Sequence, residues 1–390
     1  MASNGLWQGA PLWQEGSVTV ETGSGFFRPE SRPSRDLGVL LGATLAEEAP
    51  LSVLDAMAGC GIRSCRWLME AGASAVWAND ADPDRLPLLR TNLRSAASRR
   101  TAAQEPRLRI SALRAQKLLA GCMTREQRFS LVDLDAFGSP MALVPLALEA
   151  VAFEGVLYLA STDGRSPPGH DRAAAIRRLG AAARSHPASW ELALRLQLGV
   201  LARAAWSAGR GLTPLFSFSE GRTFRTAVRV HRRPAASEEE QLGLVSHCHR
   251  CGDQQVQSLR RLRPWGACVC AGTSDGQGWP LAISGPLWIG PLQHRQTLEA
   301  MAAIQGQRAL AAAEGERLLG ALTADSGWTA RCWPTDAIGH WLGGGPPPLR
   351  PLVAALEQAG HRACISAVMA GQVRTEAPWA ELLAVASGVS

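Results

Sequence analysis

The chain has 390 residues, 46% of them hydrophobic, and a net charge of +6. That is enough for two or three domains around a sizeable core. No stretch approaches about 18 uninterrupted apolar residues, and the N-terminus lacks the basic-then-apolar pattern of a secretory leader. A membrane protein is therefore not expected, and the chain reads as soluble and cytosolic. Nine cysteines, an odd number scattered apart from one cluster, argue against a disulfide framework. The basic side chains are arginine throughout except for Lys117. Arginine forks suit phosphates and stack on bases, but a GC-rich coding bias explains much of the same usage. The bias thus only permits a nucleic-acid partner.

Residues 1–25 contain a short alternation, Ser17-Val-Thr-Val-Glu21, that reads as a small hairpin or arm. After Gly25-Phe-Phe-Arg-Pro29, Ser34-Arg-Asp-Leu37 opens an apolar helix to Leu45, with Ser34 as a natural N-cap. A cation at a helix start opposes the dipole, so Arg35 is a candidate ligand for an anion such as a cofactor carboxylate.

From Leu51 to about Val230 apolar strands alternate with helices, the pattern of an open α/β sheet. Its focal stretch is Val53-Leu-Asp-Ala-Met-Ala-Gly-Cys-Gly-Ile-Arg63. A short apolar run ends in Asp55, and Gly59 and Gly61 then let the backbone turn sharply and approach a ligand before a helix begins. The spacing is not that of a P-loop, and an ordinary tight turn would look much the same. Ala75-Val-Trp-Ala-Asn-Asp80 is a second run closing on an acid, about 20 residues on. A carboxylate there takes ribose hydroxyls in doubly wound folds, which suits NAD or S-adenosylmethionine. A helix over Asp82–Ala97, a short strand at Leu108–Ser111 and a helix from Ala115 follow. The third run, Phe129-Ser-Leu-Val-Asp-Leu-Asp135, leads into Ala136-Phe137-Gly138-Ser139-Pro140. An acid and then an aromatic just past a strand end fit a flat base better than a hydride acceptor, so a methyltransferase is favoured over a dehydrogenase. A helix over Met141–Ala152, a buried strand at Gly155–Ala160, and Ser161-Thr-Asp163 at its end come next. Trp190–Ser207 reads as an amphipathic helix with Glu191 and Arg195 as a surface ion pair. Leu212–Ser219 and Thr223–His231 read as an antiparallel hairpin.

Pro234–Glu240 is a polar linker and a plausible boundary between domains at 1–233 and 241–390. Beyond it, His247-Cys-His-Arg-Cys251 and Cys268-Val-Cys270 place two close cysteine pairs 16 residues apart. In a reducing cytosol that spacing points to a structural zinc site on Cys248, Cys251, Cys268 and Cys270, with His247 or His249 as substitutes. Ser284–Leu292, rich in glycine and proline, reads as a packed turn. Helices are expected over Gln293–Leu322 and Leu349–Ala359 and from Pro378, with a small hairpin between Ala363 and Thr375.

Taken in order, several stretches resemble one family, the tRNA (guanine-26-N2)-dimethyltransferases. Phe26-Phe-Arg-Pro29 with Ser34-Arg-Asp-Leu37 is similar to that family's F-Y-N-P…N-R-D-L, and Asp55–Arg66 to its cofactor loop. Asn79-Asp80, Asp133–Pro140, Thr162-Asp163 and Gly285–Pro291 resemble further motifs, N-D, D-x-D-P-F-G-S-P, T-D and G-P-x-W-x-G-P. Ala136 stands where the family has proline, Ser34 where it has asparagine, and Arg114 where it has the acid that would accept the adenine amino group.

The resemblance implies an α/β fold: a Rossmann-like class I methyltransferase domain at 1–233, with a smaller zinc-containing α+β domain at 241–390 that binds tRNA. It implies S-adenosylmethionine held by Arg35, Asp55, Gly59, Gly61, Arg63 and Asp80, with adenine recognised through backbone groups near Ala115. It puts Asp135 and Phe137 at the target guanine, and implies a cytoplasmic protein, expected to be monomeric, with no DNA partner. Arg260, Arg261 and Arg263 are the arginines expected to grip the RNA backbone. Two rivals stand beside it: an amino-group methyltransferase for another nucleic acid, and an RNA-binding protein whose methyltransferase fold has lost its cofactor.

Overall fold

The computed structural model describes residues 11–23, 27–100, 105–266, 268 and 281–389. The chain divides into two units, one of Met1–Ala136, Pro145–Leu159 and Glu299–Leu319, the other of Phe137–Val144, Ala160–Leu298 and Gly320–Ser390.

In the first unit the strands Ser52–Asp55, Ala75–Asn79 and Arg107–Ser111 run parallel, and Phe129–Asp135 runs parallel to Ser52–Asp55 on its other side. The spatial order is Arg107–Ser111, Ala75–Asn79, Ser52–Asp55, Phe129–Asp135, Val151–Ser161. Helices Ile62–Met69, Leu86–Ser98 and Ala115–Thr124 make the crossovers. Parallel strands are covered on both faces, which explains why they read as apolar runs: Val53, Leu54, Ala78, Leu131 and Val132 are fully buried. The chain builds outward from Ser52–Asp55, then returns to its other side at Phe129–Asp135. That reversal is a topological switch point, where ligands bind beyond the carboxyl ends of the strands.

The first helix is longer than expected, Arg32–Glu48, and is buried from Ser34 through Leu45. Ser34 is not its N-cap. Pro33 takes the first turn, where its missing N–H matters least, and the Ser34 hydroxyl donates to the Ser31 carbonyl at 2.8 Å. The N-terminal arm is a hairpin of Leu12–Glu15 and Val18–Glu21. The helix expected over Met141–Ala152 ends at Ala150, and the next strand already begins at Val151.

In the second unit, helix Ser189–Ser207 precedes the expected antiparallel hairpin Gly211–Glu220 and Thr223–His231. A three-stranded antiparallel sheet has Leu242–His247 between Gln254–Ser258 and Ala282–Trp288. The segment read as a packed turn is therefore an edge strand through Trp288. Proline is tolerated on an edge, and the ladder shifts register opposite Gly243 and Val245. The stretch read as a linker is anchored: buried Glu238 accepts from Trp206 Nε1 at 2.7 Å and the Leu212 amide at 2.8 Å. At the C-terminus, strands Trp333–Pro334, Gln372–Thr375 and Ala363–Ile365 share a core with helices Thr335–Leu342, Leu349–Gln358 and Trp379–Ser387, built on Trp333, Ile338, Leu352, Val373 and Trp379.

The Glu191–Arg195 pair is not on the surface. Both are buried, and Arg374 joins Glu191 through two bonds of 2.9 and 2.7 Å. Arg374 also pairs with buried Asp325. The arginines beside it hold the Glu191 carboxyl down at about 2 although burial alone would push it up.

Candidate active site and cysteine cluster

Beyond the Ser52–Asp55 strand, Gly59 adopts φ +56°, and a Cβ built there would enter open space. Only glycine reaches that backbone freely and leaves the hollow clear for a ligand. Its amide donates to Asp80 Oδ2 at 2.9 Å, while Asp80 Oδ1 accepts from the Asp82 amide at 3.0 Å. Asp80 is thereby fixed at the end of its strand, half-buried, beside the glycine turn. Gly61, at φ +83°, is the N-cap of helix Ile62–Met69, and a Cβ there would meet Leu89.

Two buried amides, whose part the sequence did not disclose, hold this loop. Asn79 donates to the carbonyls of Ala56 and Leu113 at 3.0 and 2.8 Å and accepts from Ser111 Oγ and the Leu113 amide. Asn92 donates to the Cys60 and Glu21 carbonyls, each at 2.8 Å. The available signal was an amide closing an apolar run for Asn79 and an amide interrupting an apolar helix for Asn92. Ala115 begins the Ala115–Thr124 helix and is buried, whereas Arg114 at its N-cap is exposed.

Three acids lie at the carboxyl ends of the two switch-point strands. Asp55 is fully buried and accepts from Ser64 Oγ at 2.7 Å through Oδ2, and its Oδ1 has no hydrogen-bond partner among the described residues. Burial first, then the like charge of Asp133, pushes its carboxyl up to about 8. Asp55 is therefore mostly protonated at neutral pH. Arg63, in the first turn of the Ile62–Met69 helix, reaches Asp133 Oδ2 at 3.8 Å, Asp135 Oδ2 at 3.2 Å and Ser34 Oγ at 3.3 Å. Burial opposes its charge, but Asp133 and Asp135 outweigh that and keep it firmly protonated. Of the three acids Asp135 is the open one, 30% exposed against 2% for Asp133.

Arg35 is also buried and already holds a carboxylate. Its Nε and Nη2 bond Glu15 at 2.7 and 2.6 Å, and it donates further to the carbonyls of Arg28 and Pro29. Glu15 and Asp36 also bond Arg66 Nη1, at 2.8 and 2.6 Å, and Glu70 bonds its Nε at 2.8 Å. The N-terminal hairpin is thus pinned to the helix behind the glycine turn by a charge network out of water.

Phe137 is 73% exposed. The Gly138 amide donates to Thr162 Oγ1 at 2.6 Å, and the Thr162 amide to the Gly138 carbonyl at 2.9 Å. Asp163 serves a turn: Oδ1 accepts the Arg165 and Ser166 amides, and Oδ2 pairs with Arg178 at 3.0 Å. Arg260 and Arg261, the expected RNA grips, are paired with Glu239 and Glu240.

The sulfurs of Cys248, Cys251 and Cys268 lie within 4.8 Å of one another, and Cys248 and Cys268 are 3.6 Å apart. Cys270 falls outside the described residues. His247 is buried beside the cluster, its ring centroid 5.0 Å from that of exposed His249.

A parallel sheet with a switch point, a glycine turn and an acid closing the second strand together define an α/β methyltransferase fold. The chain superposes on the structure of Trm1 from Pyrococcus horikoshii, solved with S-adenosyl-L-methionine, with a TM-score of 0.82 at 24% identity, over 96% of this chain and 99% of that one. Residues 11–387 match the model of the N2,N2-dimethylguanosine tRNA methyltransferase family, and the chain belongs to that family. Among its relatives, the tRNA (guanine(26)-N(2))-dimethyltransferase of Methanoregula boonei is 30% identical over 93% of this chain and 92% of that protein. The enzyme of the same description from Methanosphaerula palustris is 29% identical over 94% and 91%. No helix among the described residues is long and apolar enough to cross a membrane.

Proposed function

We propose that this protein transfers methyl groups from S-adenosylmethionine to the exocyclic N2 of the guanine at position 26 of tRNA. The observation that carries this reading is the solvent-open carboxylate of Asp135 at the switch-point strand end, held by Arg63. S-adenosylmethionine, when bound, supplies an electrophilic methyl group. The residues present suit it. Gly59 leaves room for close approach, Asp80 offers carboxylate lone pairs to ribose hydroxyls, and protonated Asp55 carries a donor into a buried, partly unpaired position. Arg35, Gly61, Arg63 and the backbone at Ala115 complete the cofactor contacts in this proposal, with Arg35 acting alongside the Glu15 carboxylate it already holds.

The guanine N2 is a poor nucleophile because its lone pair is delocalised into the ring. Asp135, through its carboxylate or main-chain carbonyl, accepts an N2–H and turns the lone pair out of the ring plane. Phe137, two residues on, offers a flat apolar face on which the extruded base stacks. Positioning supplies most of the rate, and the proton leaves to Asp135 or to water.

Zinc would be held by Cys248, Cys251, Cys268 and Cys270 as a structural ion. A tetrahedral thiolate site with bonds of about 2.3 Å puts sulfurs about 3.8 Å apart, which the 3.6 Å Cys248–Cys268 separation suits. In this reading 1–233 is the catalytic domain, 241–390 the tRNA-binding domain, and the protein works as a cytoplasmic monomer. Mass analysis of nucleosides from an unmodified tRNA transcript incubated with protein and S-adenosylmethionine tests the reading. N2-methylated guanosine is expected, and none from a transcript lacking guanine 26. Binding of tRNA without any methylation, and no heat of S-adenosylmethionine binding, would instead favour a fold that has lost its cofactor, the reading to which exposed Arg114 lends weight.

A further inference from the structure

We propose that Arg165, Arg178, Arg184 and Arg222 form the rim that takes the phosphodiester backbone of the substrate RNA around Phe137. The inference rests on the tRNA reading above and moves the grip away from Arg260 and Arg261, whose guanidinium groups are met by Glu239 and Glu240 at 2.7 and 3.0 Å.

The four arginines are stitched to one place. The Phe137 loop is bonded to Thr162 through both the amide and the carbonyl of Gly138. Asp163 follows directly, bonds the Arg165 amide and anchors Arg178 Nη1 at 3.0 Å. The stem of Arg222 packs over Gly164, its Cδ 3.4 Å from where a Cβ would be, and the Arg184 backbone passes against Gly169. All four side chains belong to exposed residues.

Arg178 shares its charge with Asp163, but the charge of the other three is not spent on a carboxylate among the described residues. Positions 163–184 hold five arginines against two aspartates. Asp163 is buried, with one oxygen on backbone amides and the other on Arg178, and Asp171 Oδ1 caps the Ala174 amide. Arg165, Arg184 and Arg222 have no carboxylate partner among the described residues. Three exposed guanidinium groups with no carboxylate partner among the described residues, on segments tied to the loop that carries a 73% exposed aromatic ring, are what a flipped base and its flanking phosphates require.

Binding of an unmodified tRNA transcript to the full chain, measured by fluorescence anisotropy across a salt series, tests this. Each phosphate contact contributes about 0.7 to 0.9 to the slope of log affinity against log salt. The double variant Arg165→Ala/Arg222→Ala should lower that slope by about 1.5 and weaken binding about tenfold or more at moderate salt, with the melting temperature and S-adenosylmethionine affinity unchanged. Arg165→Lys/Arg222→Lys should keep the slope, because it counts charge. Arg260→Ala/Arg261→Ala should move it little. An alanine double variant that stays folded with wild-type slope and affinity would overturn the proposal, as would loss of the slope in the lysine variant. Arginine-dependent binding by a wild-type protein that methylates nothing would remove the enzymatic reading and leave this surface standing.

Discussion

Arg63 holds Asp135. The guanidinium of the first residue after Ile62 in its helix sits 3.2 Å from a carboxylate more than 70 positions later in the chain, and 3.8 Å from the buried Asp133 on the same strand. One cation thus serves two acids of unequal exposure. It stabilises the buried one and fixes the direction of the open one.

Replacing Asp135 should separate chemistry from cofactor binding. Asp135→Ala is expected to lower single-turnover methylation by at least about a thousandfold, the effect proposed for a carboxylate that both turns the amine and takes its proton. S-adenosylmethionine affinity by calorimetry should change by no more than a few-fold. Loss of both together would show that Asp135 belongs to the cofactor site.

Arg63→Met should take away the guanidinium that lies 3.8 Å from buried Asp133. Breaking a buried pair by removing one partner costs about 3–5 kcal/mol, so the melting temperature should fall by several degrees. Arg63→Lys restores the charge but not the fork and should recover part of the loss. Unchanged thermal stability in Arg63→Met would mean that the acids find compensation elsewhere.

Asp55 makes stability depend on pH in a known direction. Its carboxyl is held at about 8, through burial and then Asp133, against 3.8 for an unperturbed aspartate. Below about pH 4 it is protonated in both folded and unfolded chains, and its contribution is fully present. Between about 4 and 8 the unfolded chain ionises first, so that contribution drains away as pH rises. Asp55→Asn should therefore lose less stability than the wild type between pH 5 and 8 in thermal melts. A wild type that gains on the variant over that range would contradict the assignment.

Cysteine replacement tests the metal. Freshly purified protein should carry one zinc per chain, and Cys251→Ser should lower both zinc content and melting temperature, as should a strong chelator. A wild type without zinc by elemental analysis would remove the site.

Much of the parallel sheet was legible in the residues alone. Parallel strands are covered on both faces and so announce themselves as apolar runs, and the acids and glycines that end them are local features: Asp55, Gly59, Gly61, Asp80 and Asp135 stand where the spacing put them. The hairpin of Gly211–Glu220 and Thr223–His231 follows from a pattern that is likewise local.

What the chain by itself could not decide is which charges are alone. Glu191 and Arg195 have the spacing of a solvent-facing pair, yet Arg374, more than 170 positions away, meets them inside the core. Arg35 looked available for an anion, but Glu15 from the hairpin occupies two of its nitrogens. Arg260 and Arg261 have the look of RNA grips in the sequence, but Glu239 and Glu240 lie against them, while Arg165, Arg184 and Arg222 have no carboxylate partner among the described residues. Periodicity determines burial and hence the elements, because each residue answers to its near neighbours. Charge pairing depends on partners that only the folded chain brings within 4 Å, and so the tertiary structure alone decides which arginines remain free to meet a phosphate.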